Sequence, residues 1–384
     1  MNLSEESLIF HEKFHGKFEI VSKIAIKNSH DLAITYTPGV SEPCIKIAKN
    51  PELAYKYTVK NNLVAVVTDG SAVLGLGNIG PEAALPVMEG KCILFKEFGG
   101  VDAIPICLDT QDTEEIIKTI KYISPVFGGI NLEDISAPRC FEIEERLKKE
   151  LGIPVFHDDQ HGTAIVVLAA LINSLKLVNK SKDDIRVVVN GGGSAGIAIV
   201  KLLLFYGIKD IILCDLKGII SKKKKNINVF QDEIAKIINP NYIEGDLFDA
   251  LNGSDVFIGV SAPNVLSGDM IKVMNSDPII FALANPVPEI MPNIALEYGA
   301  KIVGTGRSDF PNQINNVLAF PGIFRGAIKA KIQIDDFIKV ASAEIIASMV
   351  EDKDLNEFNI LPKAFDKRVS ERIANKILSL KTGE

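Results

Sequence analysis

The stretch IRVVVNGGGSAGIAIVKLLLFYGIKDIILCDLKG, residues 185–218, is the most informative part of the sequence about the fold class. It joins a β-branched strand to an apolar helix through the spacing G-x-G-x-x-G. In such a turn the first glycine permits a tight bend, the second lets a pyrophosphate approach the backbone, and the third lets the helix pack closely on the strand. The pyrophosphate then meets free N–H groups at the helix N-terminus. The stretch therefore predicts a dinucleotide site at Gly191, Gly193, Ser194, Ala195 and Gly196.

The cofactor type depends on residues that follow this turn. A second strand ends at Asp215, about 20 residues further on, where a carboxylate can bond the ribose hydroxyls of a dinucleotide. A carboxylate there repels the 2′-phosphate of NADP and so favours NAD. Lys217 and Lys222–Lys225 follow closely, and they either neutralise that phosphate or form a solvated loop. We expect NAD or NADP as cofactor, with a modest preference for NAD.

Strand and helix patterns alternate along most of the chain, which is typical of an α/β protein with parallel sheets. The 384 residues exceed one ordinary core, so we expect two domains. We predict an N-terminal α/β domain for substrate and metal over residues 1–155. A Rossmann-type doubly wound parallel sheet is predicted over residues 156–384, with a helical C-terminal tail at 335–350 and 365–380.

Composition excludes several classes of function. The formal net charge of -7 argues against general nucleic-acid binding. The five cysteines have no paired spacing, which favours free thiols in a reducing compartment. The N-terminus lacks the apolar segment of a signal peptide, and no uncharged apolar stretch reaches membrane-spanning length. We therefore predict a cytoplasmic protein that binds neither nucleic acid nor membrane.

Acidic side chains cluster at two points in the sequence. The segment PVFHDDQHGT (154–163) places two aspartates between two histidines, just before an apolar helix that we expect to begin near His161. Elsewhere Glu133 and Asp134 are adjacent, and if buried together they would repel one another unless a cation is present. With Asp159 they would make an oxygen site that suits Mg²⁺ or Mn²⁺. By themselves, the residues favour acids at the surface over a metal site.

Seven motifs occur in the order seen in malic enzymes, and the chain resembles the small prokaryotic members of that family over nearly its whole length. They are YTPGV (36–40), DGSAVLGLGNIGP (69–81), EGK (89–91), NLEDI (131–135), HDDQHGT (157–163), ANPVPEI (284–290) and NNVLAFPGIFRG (315–326). Malic enzymes oxidise and decarboxylate (S)-malate to pyruvate and CO2, using NAD or NADP and a divalent cation. The resemblance implies the same activity here.

The resemblance also implies roles for individual residues. Tyr36 matches the tyrosine that protonates enolpyruvate, and Lys91 matches the lysine that removes the proton from the C2 hydroxyl of malate. Lys91 can accept a proton only when neutral, so we expect burial or nearby cations to lower its pKa. The residues that match the metal ligands are Glu133, Asp134 and Asp159.

Three asparagines and one further acid complete the expected site. Asn285, Asn315 and Asn316 match positions that hold substrate carboxylate or nicotinamide ribose, although without the resemblance we would interpret them as turn residues. Asp158 is expected to lie behind the metal ligands or on the cofactor side. We also predict a homodimer.

One departure from the family leaves the substrate's distal carboxylate without an assigned partner. Larger malic enzymes carry an arginine in the segment that matches DGSAVLGLG, where this chain has Ala72 and Val73. Two other functions stay open. The first is a malolactic-type decarboxylation that retains NAD and releases lactate, and the second is a dinucleotide-binding sensor with a dead site. The presence of Tyr36, Lys91 and all three metal-ligand acids argues against the sensor.

Overall fold

The computed structural model describes residues 3–223 and 228–382 and confirms the predicted α/β class. The first of its two sheets is entirely parallel, with the strand order β2-β1-β3-β4. Its strands are β1 (Leu63–Thr68), β2 (Asp102–Cys107), β3 (Gly129–Leu132) and β4 (Val155–His157). Every residue of β1 is buried, which explains its unbroken apolar sequence, because a central parallel strand is covered on both faces.

The second sheet has the doubly wound arrangement that residues 185–218 predict. Its strands are β5 (Arg186–Asn190), β6 (Asp210–Asp215), β7 (Gly218–Ile219), β8 (Val256–Gly259), β9 (Ile279–Ala282) and β10 (Ile302–Thr305). Their order is β10-β9-β8-β5-β6-β7, and only β7 is antiparallel to its neighbour. The strand order reverses between β5 and β8, and ligands bind outside the carboxyl ends of the strands at such a reversal.

The helices before β4 include four near the N-terminus that have no buried residue. The helices that precede β4 are α1 (Leu3–Phe14), α2 (Ser29–Thr35), α3 (Ser41–Lys49), α4 (Ala54–Tyr57), α5 (Pro81–Leu94), α6 (Thr113–Ile123) and α7 (Arg139–Glu150), and the four without a buried residue are α1 to α4. Only α5, α6 and α7 of this group bury side chains against the first sheet. The segment that contains α1 to α4 therefore lies on the outside of the protein, although it carries many large apolar residues.

The helices after β4 begin with the long α8 (Asp158–Val178). The others are α9 (Ser194–Tyr206), α10 (Val229–Ile234), α11 (Leu247–Leu251), α12 (Gly268–Lys272), α13 (Pro292–Glu297), α14 (Phe320–Ala330), α15 (Asp336–Ser348) and α16 (Arg368–Thr382). By length and composition α8 could cross a membrane, but 67% of its apolar stretch is buried inside the protein. This is how the core helix of a globular protein behaves.

The two sheets share one continuous core. Phe320 and Phe324 of α14 place their rings 4.7 Å and 5.2 Å from the ring of Phe95, which follows α5. Phe324 also contacts Phe156 of β4, with the ring centroids 5.9 Å apart. The predicted boundary between residues 155 and 156 falls within β4, and the division into two domains stays a prediction.

Candidate active site

The glycine-rich turn after β5 has the geometry that dinucleotide binding needs. Gly191 has φ +128°, and a Cβ there would lie 2.4 Å from the carbonyl oxygen of Val260, the residue that follows β8. A Cβ on Gly196 would lie 1.8 Å from the carbonyl oxygen of Gly191. A Cβ on Gly193 would meet no atom within 4 Å, so that side of the turn is open. Among the described residues, the N-terminus of α9 is thus open at Gly193, where a pyrophosphate would approach the backbone.

Asp215 lies beside this turn, at the end of β6. The Oδ1 atom of Asp215 accepts a hydrogen bond of 2.7 Å from the backbone N–H of Lys217, and its Cβ would lie 3.2 Å from a Cβ on Gly192. Gln231 of α10 donates from Nε2 to the carbonyl oxygen of Gly192 at 3.0 Å. Nothing in the sequence pattern pointed to Gln231, because its approach depends on how α10 packs on the sheet.

The described part of the lysine cluster interacts with other residues. The Nζ atom of Lys223 forms an ion pair of 2.9 Å with Glu244, and the Nζ atom of Lys222 lies 6.0 Å from the centre of the Tyr242 ring. Lys224 and Lys225 lie outside the described residues.

Three carboxylates meet at the carboxyl ends of β3 and β4. Glu133 and Asp134 directly follow β3, and Asp159 lies in the first turn of α8. One oxygen from each lies within 4.8 Å of the others. The backbone at Asp134 has φ +54°, and its N–H donates to the Oδ2 atom of Asp159 at 2.7 Å. The residues that the sequence suggested as a metal site are therefore together.

This group of acids fits a hard divalent cation. Burial raises the pKa of Asp159 to about 6, and it also raises the pKa of Glu133, although Lys91 opposes both shifts. Raised values mean that the ionised forms lack full compensation from the protein. Oxygen ligands of this kind suit Mg²⁺ or Mn²⁺, whose charge would supply that compensation.

The helix that carries Asp159 begins earlier than expected. We predicted a start near His161, but α8 begins at Asp158 and both aspartates belong to its first turn. Carboxylates in a first turn interact favourably with the unpaired N–H groups and the positive end of the helix dipole. The aspartates themselves thus help the helix to start, which an apolar pattern cannot reveal.

Lys91 lies on α5 and points at these acids from the opposite side. It is only 7% exposed, and its Nζ atom lies 2.6 Å from Asp158 Oδ2 and 2.7 Å from Glu133 Oε1. Burial disfavours the ammonium form, but the neighbouring carboxylates outweigh burial and raise the pKa of Lys91. We expected burial or nearby cations to lower this pKa, and burial alone does not do so. A lowering would have to come from a divalent cation charge beside Glu133.

Asp158 makes closer contacts than the sequence analysis expected. Its Oδ2 atom accepts hydrogen bonds from Lys91 Nζ and from Asn316 Nδ2, both at 2.6 Å. A Cβ on Gly162 would lie 1.9 Å from Asp158 Oδ1 and 3.0 Å from Asn316 Cβ. Only glycine at position 162 leaves room for the side chain of Asp158 in this arrangement. The sequence does contain a hint of this requirement, because Gly162 follows Asp158 by one helical turn.

The two histidines that flank the aspartates form hydrogen bonds with neighbouring side chains. His157 Nδ1 bonds the side-chain amide of Gln160 at 2.9 Å, and His161 Nε2 lies 2.8 Å from Glu144 Oε2. Burial lowers the pKa of His161 to about 3, so this ring is neutral and donates its Nε2–H to Glu144. Both histidines are therefore engaged in hydrogen bonds with neighbouring side chains.

A single cleft contains the expected base, the three expected metal ligands and the three asparagines. Its lining includes Lys91, Glu133, Asp134, Asp159, Asn285, Asn315 and Asn316. Asn315 also uses its side-chain oxygen to cap the short turn that follows, accepting from the N–H of Val317 at 2.9 Å. His11 and Lys17 from the N-terminal segment line the same cleft, and the sequence analysis did not identify either.

Tyr36 is not in the lining of this cleft. It follows α2 directly, and 67% of its surface is exposed. The structure thus places the expected base and the three expected metal ligands together, but it leaves the expected proton donor on the outer surface of the same chain.

The fold and the cleft are those of a dinucleotide-dependent oxidoreductase with three acids grouped in its cleft. A family model described as the malic enzyme N-terminal domain matches residues 15–148, and one described as the malic enzyme NAD-binding domain matches residues 160–381. The chain therefore belongs to the malic enzyme family, as the seven motifs predicted.

Known proteins agree with this assignment. The chain is 56% identical to the bifunctional malic/malolactic enzyme of Bacillus subtilis, over 98% of this chain and 92% of that protein. It is 55% identical to the NAD-dependent malic enzyme of Geobacillus stearothermophilus, over 98% and 79%. The crystal structure of the NAD-dependent malic enzyme of Thermotoga maritima superposes with a TM-score of 0.94, at 49% identity and with 97% and 98% coverage. NADP-dependent malic enzymes also match this chain, so the nicotinamide cofactor is common to relatives of both kinds.

We expect Gly162→Ala to impair turnover and to lower the melting temperature while the protein still folds, because the added methyl group displaces Asp158 from Lys91. A shift of about 1 Å at a reacting group can reduce a rate by roughly 100-fold. The measurement is the rate of malate-dependent dinucleotide reduction, together with dinucleotide affinity by calorimetry, which should stay within about twofold. Gly152→Ala is the control, because a Cβ there would meet no atom within 4 Å. Equal activity of the two variants would contradict the role given to Gly162.

Proposed function

We propose that this chain catalyses the oxidative decarboxylation of (S)-malate to pyruvate and CO2, with reduction of NAD or NADP. The observation that carries the proposal is the convergence of Lys91 with Glu133, Asp134 and Asp159 in one cleft. A dinucleotide-binding protein without catalysis has no need to bury a lysine among acids, because unpaired buried charge is costly. This argues against the sensor alternative.

The proposed chemistry assigns distinct tasks to the chain's own residues. When bound, a divalent cation would polarise the C2 oxygen of malate and the ketone derived from it, while the nicotinamide would accept hydride from C2. Glu133, Asp134 and Asp159 would hold that cation. In its neutral form, which the charge of a bound cation would favour, Lys91 removes the proton of the C2 hydroxyl through its Nζ atom, and Asp158 holds that atom in position.

Asparagine side chains line the remaining wall of the cleft. Asn285, Asn315 and Asn316 offer amide N–H groups to the substrate carboxylates or to the nicotinamide ribose. The hydrogen bond from Asn316 to Asp158 also connects this wall to the base. Loss of CO2 leaves the enol form of pyruvate, which needs a proton at C3.

We infer that Tyr36 supplies this proton in the cleft of a second copy of the chain. Residues 3–59 expose many large apolar side chains, among them Leu8, Ile20 and Val21, which are 73%, 83% and 69% exposed. An apolar surface of this extent marks an interface, and most soluble oligomers are symmetric homodimers. Tyr36 lies within this segment and outside its own cleft. A homodimer that covers the segment would allow Tyr36 to reach the partner's cleft.

A malolactic-type reaction is the second candidate, because one relative is named a bifunctional malic/malolactic enzyme. The same residues would serve both reactions. Release of reduced dinucleotide in equal amount to pyruvate supports the oxidative reaction, whereas lactate without reduced dinucleotide supports the alternative. The proposed location is the cytoplasm.

We expect Asp159→Asn to remain folded and to lose at least about 100-fold in malate-dependent dinucleotide reduction, because the neutral amide is a weaker ligand for a hard cation. A chelator should abolish wild-type turnover in the same assay. Mn²⁺ should raise the melting temperature of the wild type but not of Asp159→Asn. Asp352→Asn, an exposed acid far along the chain, is the control. Full activity in excess chelator would contradict the proposal that Glu133, Asp134 and Asp159 hold a divalent cation needed for turnover.

We expect the wild type to have a higher kcat/KM with NAD than with NADP by about tenfold, because Asp215 and the 2′-phosphate carry like charge in a partly screened cleft. Asp215→Ser should reverse the preference, and neutralising Lys222–Lys225 should increase it. Parallel assays with both dinucleotides at matched malate concentration give the ratio. A wild type that prefers NADP would show that other contacts outweigh Asp215.

We expect a purified heterodimer of one Tyr36→Phe chain and one Lys91→Met chain to recover about half of wild-type activity, although each homodimer is inactive. One of its two clefts would then combine an intact Lys91 with the partner's intact Tyr36. Differently tagged chains allow the heterodimer to be isolated. A heterodimer of Lys91→Met and Asp159→Asn is the control and should stay inactive, because each cleft carries a lesion. No recovery in the first heterodimer would place Tyr36 elsewhere in the mechanism.

A further inference from the structure

The substrate of the proposed reaction carries two carboxylates into a cleft that is already acidic. Glu133, Asp134 and Asp159 line it, and the ammonium of Lys91 is held by Glu133 and Asp158. A divalent cation would offset only part of this charge. The carboxylate attached to C3 therefore needs a cationic partner of its own, because an anion taken from water without a partner is strongly disfavoured.

Lys17 is the lining residue with the chemistry for this task. Its Nζ atom donates to the carbonyl oxygen of Pro86 at 2.5 Å, and it would lie 3.6 Å from a Cβ on Gly90. Pro86 and Gly90 lie one turn apart on α5, and Gly90 directly precedes Lys91. The ammonium of Lys17 therefore lies against the backbone of α5 just before the expected base, and both lysines line the cleft.

The backbone of this segment is anchored independently of the ammonium. The N–H of Lys17 donates to Glu89 Oε2 at 3.1 Å, and Gly16 just before it has φ +107°, a conformation that side chains rarely adopt. These two features fix where the lysine side chain starts. Within the described ranges of the chain, the Nζ atom of Lys17 has only the neutral carbonyl oxygen of Pro86 as its hydrogen-bond partner. A substrate carboxylate can replace this carbonyl, or bind the ammonium together with it.

The ammonium of Lys17 has no ion pair with a side-chain carboxylate in the part of the chain that the structure describes. Burial lowers the pKa of Lys17, although Glu89 opposes the shift. An incoming carboxylate would compensate this loss of solvation. The lysine is thus placed as an unpaired cation at the edge of an acidic cleft.

Other cations nearby are less suited to the task. Arg139 follows the Asp134 segment, but its guanidinium is bound to Asp69 at 2.7 Å and to Ser71 at 3.1 Å, and it does not line the cleft. His11 lines the cleft, but its Nδ1 lies 2.7 Å from the carbonyl oxygen of Ser7 and must donate to it. In the neutral ring Nε2 is then an acceptor, which repels a carboxylate.

We propose that Lys17 binds the carboxylate attached to C3 of the substrate and thereby selects dicarboxylic over monocarboxylic 2-hydroxy acids. The proposal rests on the proposed function. Lys17 would take over the task that falls to an arginine in larger members of the family, from a different segment of the chain. It also gives the N-terminal segment a direct part in substrate recognition.

The test compares wild type, Lys17→Met and Lys17→Arg in steady-state kinetics with malate, Mn²⁺ and NAD, and it measures pyruvate as a competitive inhibitor. Lys17→Met should raise KM for malate about 10- to 100-fold, which corresponds to one charged hydrogen bond, and kcat should change less than about threefold. The inhibition constant of pyruvate should stay within about twofold, because pyruvate lacks the second carboxylate. Lys17→Arg keeps the charge and should recover most of the affinity for malate.

Lys13→Met is the matched control, because Lys13 lies on the same segment with its Nζ over the Phe14 ring and does not line the cleft. A wild-type KM in Lys17→Met would overturn the proposal and leave the proposed function standing. Parallel increases in KM for malate and in the inhibition constant of pyruvate would also overturn it, since they indicate a general distortion of α5. A wild type that does not turn over malate at all would overturn both proposals together.

Discussion

The buried contact between Lys91 and Asp158 is the interaction on which the rest of the cleft depends. It joins α5 to the first turn of α8, and Asn316 adds a third segment of the chain at the same carboxylate oxygen. Breaking one partner away from a buried ion pair leaves an uncompensated charge, which destabilises a protein strongly. The three segments are far apart in sequence, and their meeting at one oxygen holds the base in place.

The acidic cleft and the glycine-rich turn each lie at the N-terminus of a helix, but the two helices begin with different kinds of residue. At α8 the chain supplies its own acids, Asp158 and Asp159, to the unpaired N–H groups of the first turn. At α9 the chain supplies only glycine, serine and alanine, and the space beside Gly193 is open. A helix start that is already occupied by carboxylates suits a cation nearby, whereas an open one suits a phosphate.

The sequence predicted those parts of the molecule that depend on local spacing. The glycine turn, the acid at Asp215 and the adjacent pair Glu133 and Asp134 each lie in one short segment, and their geometry follows from it. The contacts of Gln231 and Lys17 depend on how distant segments pack, and no spacing in the chain expresses them. The start of α8 was placed too late because the apolar pattern of a helix does not include the polar residues of its first turn.

The rings of Phe320 and Phe324 have a further consequence for how the protein is made. They pack against Phe95 and Phe156, so the first sheet completes its core only with residues from the last quarter of the chain. Domains generally fold as units while the ribosome is still adding residues, starting from the N-terminus. Here the first sheet leaves the ribosome early, but its core cannot be completed until α14 has also been released. Part of its apolar surface stays exposed to solvent during that interval. Shielding of the nascent chain during that interval is therefore a requirement that this topology imposes on the cell.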